Sequence, residues 1–155
     1  MNVITNSMLL VRRIRELQRR RDAVVDRQDR LRRSLPEWTF APLQLVGMSS
    51  DEIRSAMSDL TKAEADAGLN ELDCELEKLD HEIETLENQL LSQPTGTFDG
   101  VQAVLELAIE RFRGQTVHDP NDVFYDYGDA RLLTFLEHAA EDLRDLLRQD
   151  HRAAV

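Results

Sequence analysis

Along most of the chain the apolar residues return every three or four positions, which is the period of one face of an α-helix. From Met8 to Leu35 they follow a heptad, with Ile14 and Leu35 at position a and Leu10, Leu17, Val24 and Leu31 at d, while the a positions Arg21 and Gln28 are polar. Pro36 ends that helix, because proline cannot continue one and also disfavours helical geometry in the residue before it. Residues 36–49 carry Pro36, Trp38, Phe40, Pro42 and Gly47 and read as an ordered connector. Ser49-Ser50-Asp51-Glu52 then has the spacing of a capping box, in which a serine hydroxyl and a glutamate carboxylate satisfy the free amides of a helix start.

The second helical stretch changes phase. Ile53, Met57 and Leu60 keep one register, whereas Leu69, Leu72, Leu76, Leu79, Ile83, Leu86 and Leu90 keep another, so a kink or short break is expected near residues 66–69, where Gly68 sits. Pro94-Thr95-Gly96-Thr97 is the clearest boundary. A short helix over about 98–113 follows, with Val101, Val104, Leu105, Ala108 and Phe112 on one face and Gly114 as a left-handed stop. Residues 115–129 read as a polar-aromatic loop. The last helix, about 130–149, places Leu132, Leu136, Ala139, Leu143 and Leu146 on one stripe, with Leu133, Ala140 and Leu147 beside it. Such a wide apolar face must be covered.

This pattern predicts an all-α protein: an antiparallel coiled-coil hairpin over residues 1–93, and a small two-helix C-terminal region over 94–155 packed with it as one unit. Low aromatic content (5%) and 32% charged residues agree with long helices rather than a sheet sandwich. Met1 to Val11 has no charged start before its short apolar run, and reads as neither a signal peptide nor a membrane span, which needs about 20 apolar residues. Together with the single cysteine, Cys74, this points to the cytoplasm.

Charge sharpens the pairing. Residues 11–33 carry ten arginines against four acids, and everything from residue 34 onward carries nine bases against twenty-six acids. In the heptads the first helix has Arg13, Arg20 and Arg27 at g. The acidic helix has Asp73, Asp80 and Glu87 at e and Glu75 and Glu82 at g. Each helix repels a copy of itself and attracts the other, and an antiparallel pair brings g against g. Arg21 is expected to cross the seam so that its guanidinium reaches the acids. Arg12, Arg15, Arg19, Arg30 and Arg33 fall outward, where they could meet phosphate, but Asp22, Asp26 and Asp29 interrupt the same face. The net charge of −11 disfavours nucleic acid or an anionic membrane as a partner of the whole chain.

Signs of catalysis are missing. The sequence has no glycine-rich phosphate loop, no paired metal-type cysteines, no H-E-x-x-H and no serine in a nucleophile elbow. His81 with Glu77 and Glu84, and His138 with Glu141 or Asp142, read as solvated helix faces, and neither histidine has the glutamate three residues earlier that a di-metal bundle uses. The Asp119–Asp129 loop lacks the glycine and spacing of a calcium loop and reads as a turn plus helix cap. Cys74 lies among acids, whose negative charge disfavours a reactive thiolate. No enzyme activity, metal or cofactor is expected.

Gln93-Pro-Thr-Gly-Thr-Phe-Asp-Gly and the residues to Ile109, followed by Asp129, Leu132, Leu133 and Leu136 in a leucine-rich run ending near Leu143, resemble a group of uncharacterised small bacterial proteins. In that group an antiparallel coiled coil precedes a T-x-x-G helix, matched here by Thr97 and Gly100, and a last leucine-rich helix. The resemblance covers about a third of the chain and implies the same architecture and a bacterial or phage origin. It implies no activity.

The first reading is therefore a non-catalytic helical protein that binds another protein or assembles with itself as a homo-oligomer. Its candidate partner-binding residues are the aromatics Trp38, Phe124, Tyr125 and Tyr127. A second reading is an acidic mimic of nucleic acid, of the kind phages use as inhibitors, that occupies the cleft of a DNA- or RNA-binding protein; its candidates are Asp73, Asp80, Glu82 and Glu84. The third is nucleic-acid binding through the basic helix by Arg12, Arg15, Arg19, Arg30 and Arg33.

Overall fold

The computed structural model describes residues 6–36 and 47–153. They form five helices: α1 (Asn6–Ser34), α2 (Ser50–Asp66), α3 (Leu69–Leu91), α4 (Phe98–Gln115) and α5 (Tyr127–Ala153). The described residues contain no strand, and the fold is all-α. Among them no helix is long and apolar enough to cross a membrane. The connector with Trp38, Phe40 and Pro42 lies outside the described residues.

The helix ends follow from local chemistry. Ser49 caps α2 with both halves of a capping box: its amide donates to the Glu52 carboxylate at 2.7 Å and its hydroxyl accepts from the Glu52 amide at 3.3 Å. The phase change after Leu60 corresponds to a true break. Gly68, at φ +79°, separates α2 from α3, and its amide donates to the Ala65 carbonyl. That left-handed conformation costs an L-residue about 1–2 kcal/mol and glycine little, so a glycine stands where the helix turns off. The T-x-x-G sequence is likewise a cap, the Thr97 hydroxyl accepting from the Gly100 amide at 3.1 Å.

The expected stop at Gly114 is not used. Gly114 keeps an ordinary negative φ, and α4 runs on to Gln115. The helix ends instead at extended Thr116, whose amide still bonds the Phe112 carbonyl at 3.1 Å. A hydroxyl and a ring finish the work a left-handed glycine would have done: Thr116 Oγ1 donates to the Arg113 carbonyl, and His118 Nε2 lies 3.0 Å from the same oxygen.

By its internal contacts the chain divides into two compact units, one of Arg15–Thr85 and one of Met1–Ile14 with Leu86–Val155. In the first, Leu17, Val24, Leu69, Leu72, Leu79 and Ile83 are buried. These are heptad a and d residues of α1 and α3. No residue of α2 is buried. In the second unit Leu10, Val11, Ile14, Leu90 and Leu107 are buried, and α4 packs on α5 through Ile109, Leu133 and Ala140, fringed by Leu105, Phe112 and Leu136.

The faces of α4 and α5 that meet are not those the leucine count favours. On α4 the buried residues are Gly100, Gln102, Leu107 and Ile109, while Val101 and Ala108 are exposed. On α5 they are Leu133 and Ala140, one residue on from Leu132 and Ala139, which are exposed together with Leu146. Where an apolar face spans nearly half of a helix, the residues that fit one another set its centre. Here Ala140 and Leu133 receive Ile109, and the richer leucine stripe is left at the edge.

Two outcomes test this account of the helix ends. Gly68→Ala introduces no clash, since its Cβ would meet only Glu71 Oε2 at 3.7 Å, so the expected loss of about 1–2 kcal/mol in urea unfolding is backbone strain alone, and Gly68→Asn should lose less. The hydrogen bonds from Ser49, the amide first and the hydroxyl second, hold the Glu52 carboxyl below its ordinary value of 4.5. A lowered folded pKa stabilises above the unfolded value and is lost as pH falls through the folded one. The difference in helicity-monitored stability between wild type and Glu52→Gln should thus shrink as pH falls below 4.5, and a difference independent of pH would contradict the capping account.

Candidate functional site: interaction surfaces

The seam of the Arg15–Thr85 unit uses its polar a residues. Arg21 reaches Asp80, with Nε 2.5 Å from Oδ1, and the Asp80 hydrogen bond raises the arginine's pKa more than partial burial lowers it. One heptad on, Gln28 Nε2 donates to Asp73 Oδ1 from a buried position. The partners move seven residues forward on α1 and seven back on α3, so the two helices run antiparallel at these contacts. Among the described g residues, Arg20, Arg27 and Glu75 make no ion pair. Both a residues are long polar side chains whose stems lie along apolar surface while their heads reach the flanking aspartates.

Two of the residues considered for a partner have contacts within the chain. Asp73 accepts from Gln28 and Asp80 from Arg21, and both aspartates remain exposed. Glu82 and Glu84 are exposed on α3, as are Glu71, Glu75 and Glu77. Of the basic candidates, Arg12, Arg19, Arg30 and Arg33 are exposed on α1, Arg15 is half-buried, and Asp22, Asp26 and Asp29 are exposed among them. Cys74 is a free, exposed thiol.

The acidic loop is organised by its own backbone. Asp119 accepts from the Asn121 amide at 2.9 Å, Asp122 from the Phe124 amide at 2.8 Å, and Asp126 from the Asp129 amide at 3.0 Å, where it caps α5. Each aspartate spends an oxygen on the turn that follows it. The loop pushes Phe124 and Tyr127 outward, 80% and 70% exposed, while Tyr125 turns in to a cavity of about 330 Å³ lined by Arg113, His118, Leu133 and Glu137. The sequence candidates Phe124 and Tyr127 are thus on the surface, Tyr125 is half-buried, and Trp38 lies outside the described residues.

Between α4 and α5 runs a second, polar groove of about 470 Å³. Arg113 bonds Glu137 at 2.5 Å and Arg144 bonds Glu106 at 2.8 Å; the Glu106 hydrogen bond, foremost, raises the Arg144 pKa. Gln102 donates to the same Glu106 oxygen, and its own carbonyl is buried without a partner. Four of the groove's charges are thus engaged with one another. Among the described residues no three histidines, cysteines or acids converge as a metal site, and His138 pairs with Asp142 at 3.5 Å.

The adjoining side of α5 is apolar and uncovered. Leu132, Phe135 and Leu146 are 48%, 59% and 62% exposed, and Ala139 lies between them. The guanidinium of Arg131 lies over the Phe135 ring, 5.3 Å from its centroid. Phe135 was missed as a candidate because the leucine stripe was assigned to the core. Its spacing of three from Leu132 and four from Ala139 puts it on the same stripe and was the available signal. No family model, curated protein or solved structure matches this chain.

The seam contacts yield a contrast between two neighbouring acids. Asp73→Ala strands the buried Gln28 amide and should cost about 1–3 kcal/mol in denaturant unfolding, whereas Glu75→Ala should stay within about 0.5 kcal/mol. Adding Gln28→Leu to Asp73→Ala should recover most of the loss. Equal effects of the two acids would contradict this assignment.

Proposed function

We propose that this protein is a non-catalytic helical interaction or assembly protein, with α1 and α3 paired as an antiparallel coiled-coil hairpin and the α4–α5 region presenting the binding face. The observation that carries the reading is the uncovered apolar stripe of α5, with Phe124 and Tyr127 at its N-terminal end. An exposed contiguous row of leucine and aromatic side chains is costly in water and marks a surface for a macromolecule. Aromatics on such surfaces supply most of the binding energy. The cytoplasm suits this reading, given one exposed free thiol and no disulfide.

Mimicry of nucleic acid is the weaker reading. It needs rows of free carboxylates, and five of the aspartates that suggested such rows, Asp73, Asp80, Asp119, Asp122 and Asp126, are hydrogen-bonded within the chain. Glu77 and Glu84 still face solvent on α3. Binding of nucleic acid by α1 is weaker again, because its exposed arginines alternate with exposed aspartates.

A photoreactive phenylalanine analogue placed at Phe135, and separately at Glu84, discriminates these readings in the native host. The expected result is protein crosslinking from Phe135 that persists at about 0.5 M salt, where surface charge is screened within a few ångströms. Crosslinking from Glu84 alone, abolished by salt and by competing DNA or RNA, would replace the assembly reading with mimicry.

A further inference from the structure

We propose that the uncovered stripe of α5 binds the same stripe of a second copy of this chain, with the two helices antiparallel about a two-fold axis beside His138. This rests on the interaction reading above and names its partner. The basis is a charge pattern that complements itself when reversed. Arg131, His138 and Asp145 follow one another at heptad spacing along one edge of the stripe Leu132, Phe135, Ala139, Asp142, Leu146.

When two such helices pair antiparallel, residues of that edge meet the same edge of the other copy. Phe135 then lies at the level of Ala139 of the second copy, a large side chain against a small one, on both sides of the axis. In that register Arg131 falls between Asp142 and Asp145 of the second copy. The arrangement accounts for Asp142, the one charged residue on the apolar stripe, by giving it a cation of the second copy beside its contact with His138. A parallel pair would instead set Arg131 against Arg131 and aspartates against aspartates.

The groups are already placed for this. Arg131 lies over Phe135 at the rim. Asp142 is 3.5 Å from His138 and Asp145 3.3 Å from Arg148, both in exposed pairs that engage one carboxylate oxygen and leave the other for a second donor. Next to the stripe on α5 itself, the half-buried Leu143 widens the apolar surface. A stable interface commonly buries about 1,600 Å² in total, and a stripe from one helix of each copy falls toward the low end, so the expected dissociation constant is on the order of 10 μM.

Sedimentation equilibrium of the full chain at about 0.15 M salt tests the pairing. A monomer–dimer equilibrium is expected. Arg131→Glu should weaken it by about tenfold or more, because two sites per dimer change from attraction to repulsion. The pair Asp142→Arg with Asp145→Arg should do the same. Combining all three substitutions should restore dimerisation to within about threefold of wild type. Ala139→Glu should give a monomer whose helicity and melting are unchanged, since Ala139 is exposed. A chain that stays monomeric at about 1 mM, a dimer indifferent to Arg131→Glu, or a triple variant that fails to recover while remaining folded would each overturn the proposal. If the chain is monomeric yet Phe135 crosslinks a different protein, self-pairing fails and the interaction reading stands; if Phe135 crosslinks nothing as well, both fail.

Discussion

A polar side chain inside an apolar seam can be satisfied in few places, and in this protein that constraint narrows the register of α1 against α3. Leucines at a and d tolerate a slip of three or four residues with modest loss, because the next layer offers similar side chains. Gln28 does not: it is buried, and its amide is satisfied by Asp73. Arg21 repeats the restriction at Asp80 one heptad away. Two such contacts seven residues apart on both helices disfavour the alignments that fall between heptads, which would take the buried Gln28 amide away from its acid. The gain in energy from each is small, but the alternatives are penalised, which is how single polar residues at core positions select a pairing.

Much of this organisation can be read from the chain by local rules. The capping box at Ser49, the break at Gly68, the cap in the T-x-x-G sequence and the heptad phases of α1 and α3 all depend on residues within about a turn of each other. The contact of Arg21 with the acidic helix also follows, because its stem is long enough to reach a flanking position. Less legible were features decided by competition between distant groups. Gly114 could have stopped α4, but Thr116 and His118 offered other partners for the last carbonyls. The centre of the α4–α5 contact depends on the fit of Ile109 to Leu133 and Ala140, which counting leucines cannot weigh.

The candidate surface shows the same division. Phe124 and Tyr127 stand out in a polar loop and prove exposed, whereas Phe135 hid within a stripe that looked like core. An apolar residue on an amphipathic helix carries the same signal whether a neighbour covers it or not. What distinguishes the cases is the number of apolar faces the fold supplies. α4 gives α5 one line of contacts, centred on Ile109, and α5 has apolar residues for more than one.

α2 illustrates how unevenly such a fold is held. It is helical over seventeen residues, with none of them buried. Besides the half-buried Ile53, Ala56, Leu60 and Ala63, its order rests on the Ser49–Glu52 cap and on short pairs such as Arg54 with Asp51, and a helix of this length is marginal on local terms alone. Its backbone amides can therefore exchange with solvent through local fraying while those of α1 and α3 wait for the seam to open, so that one small protein contains elements with widely different lifetimes of the closed state.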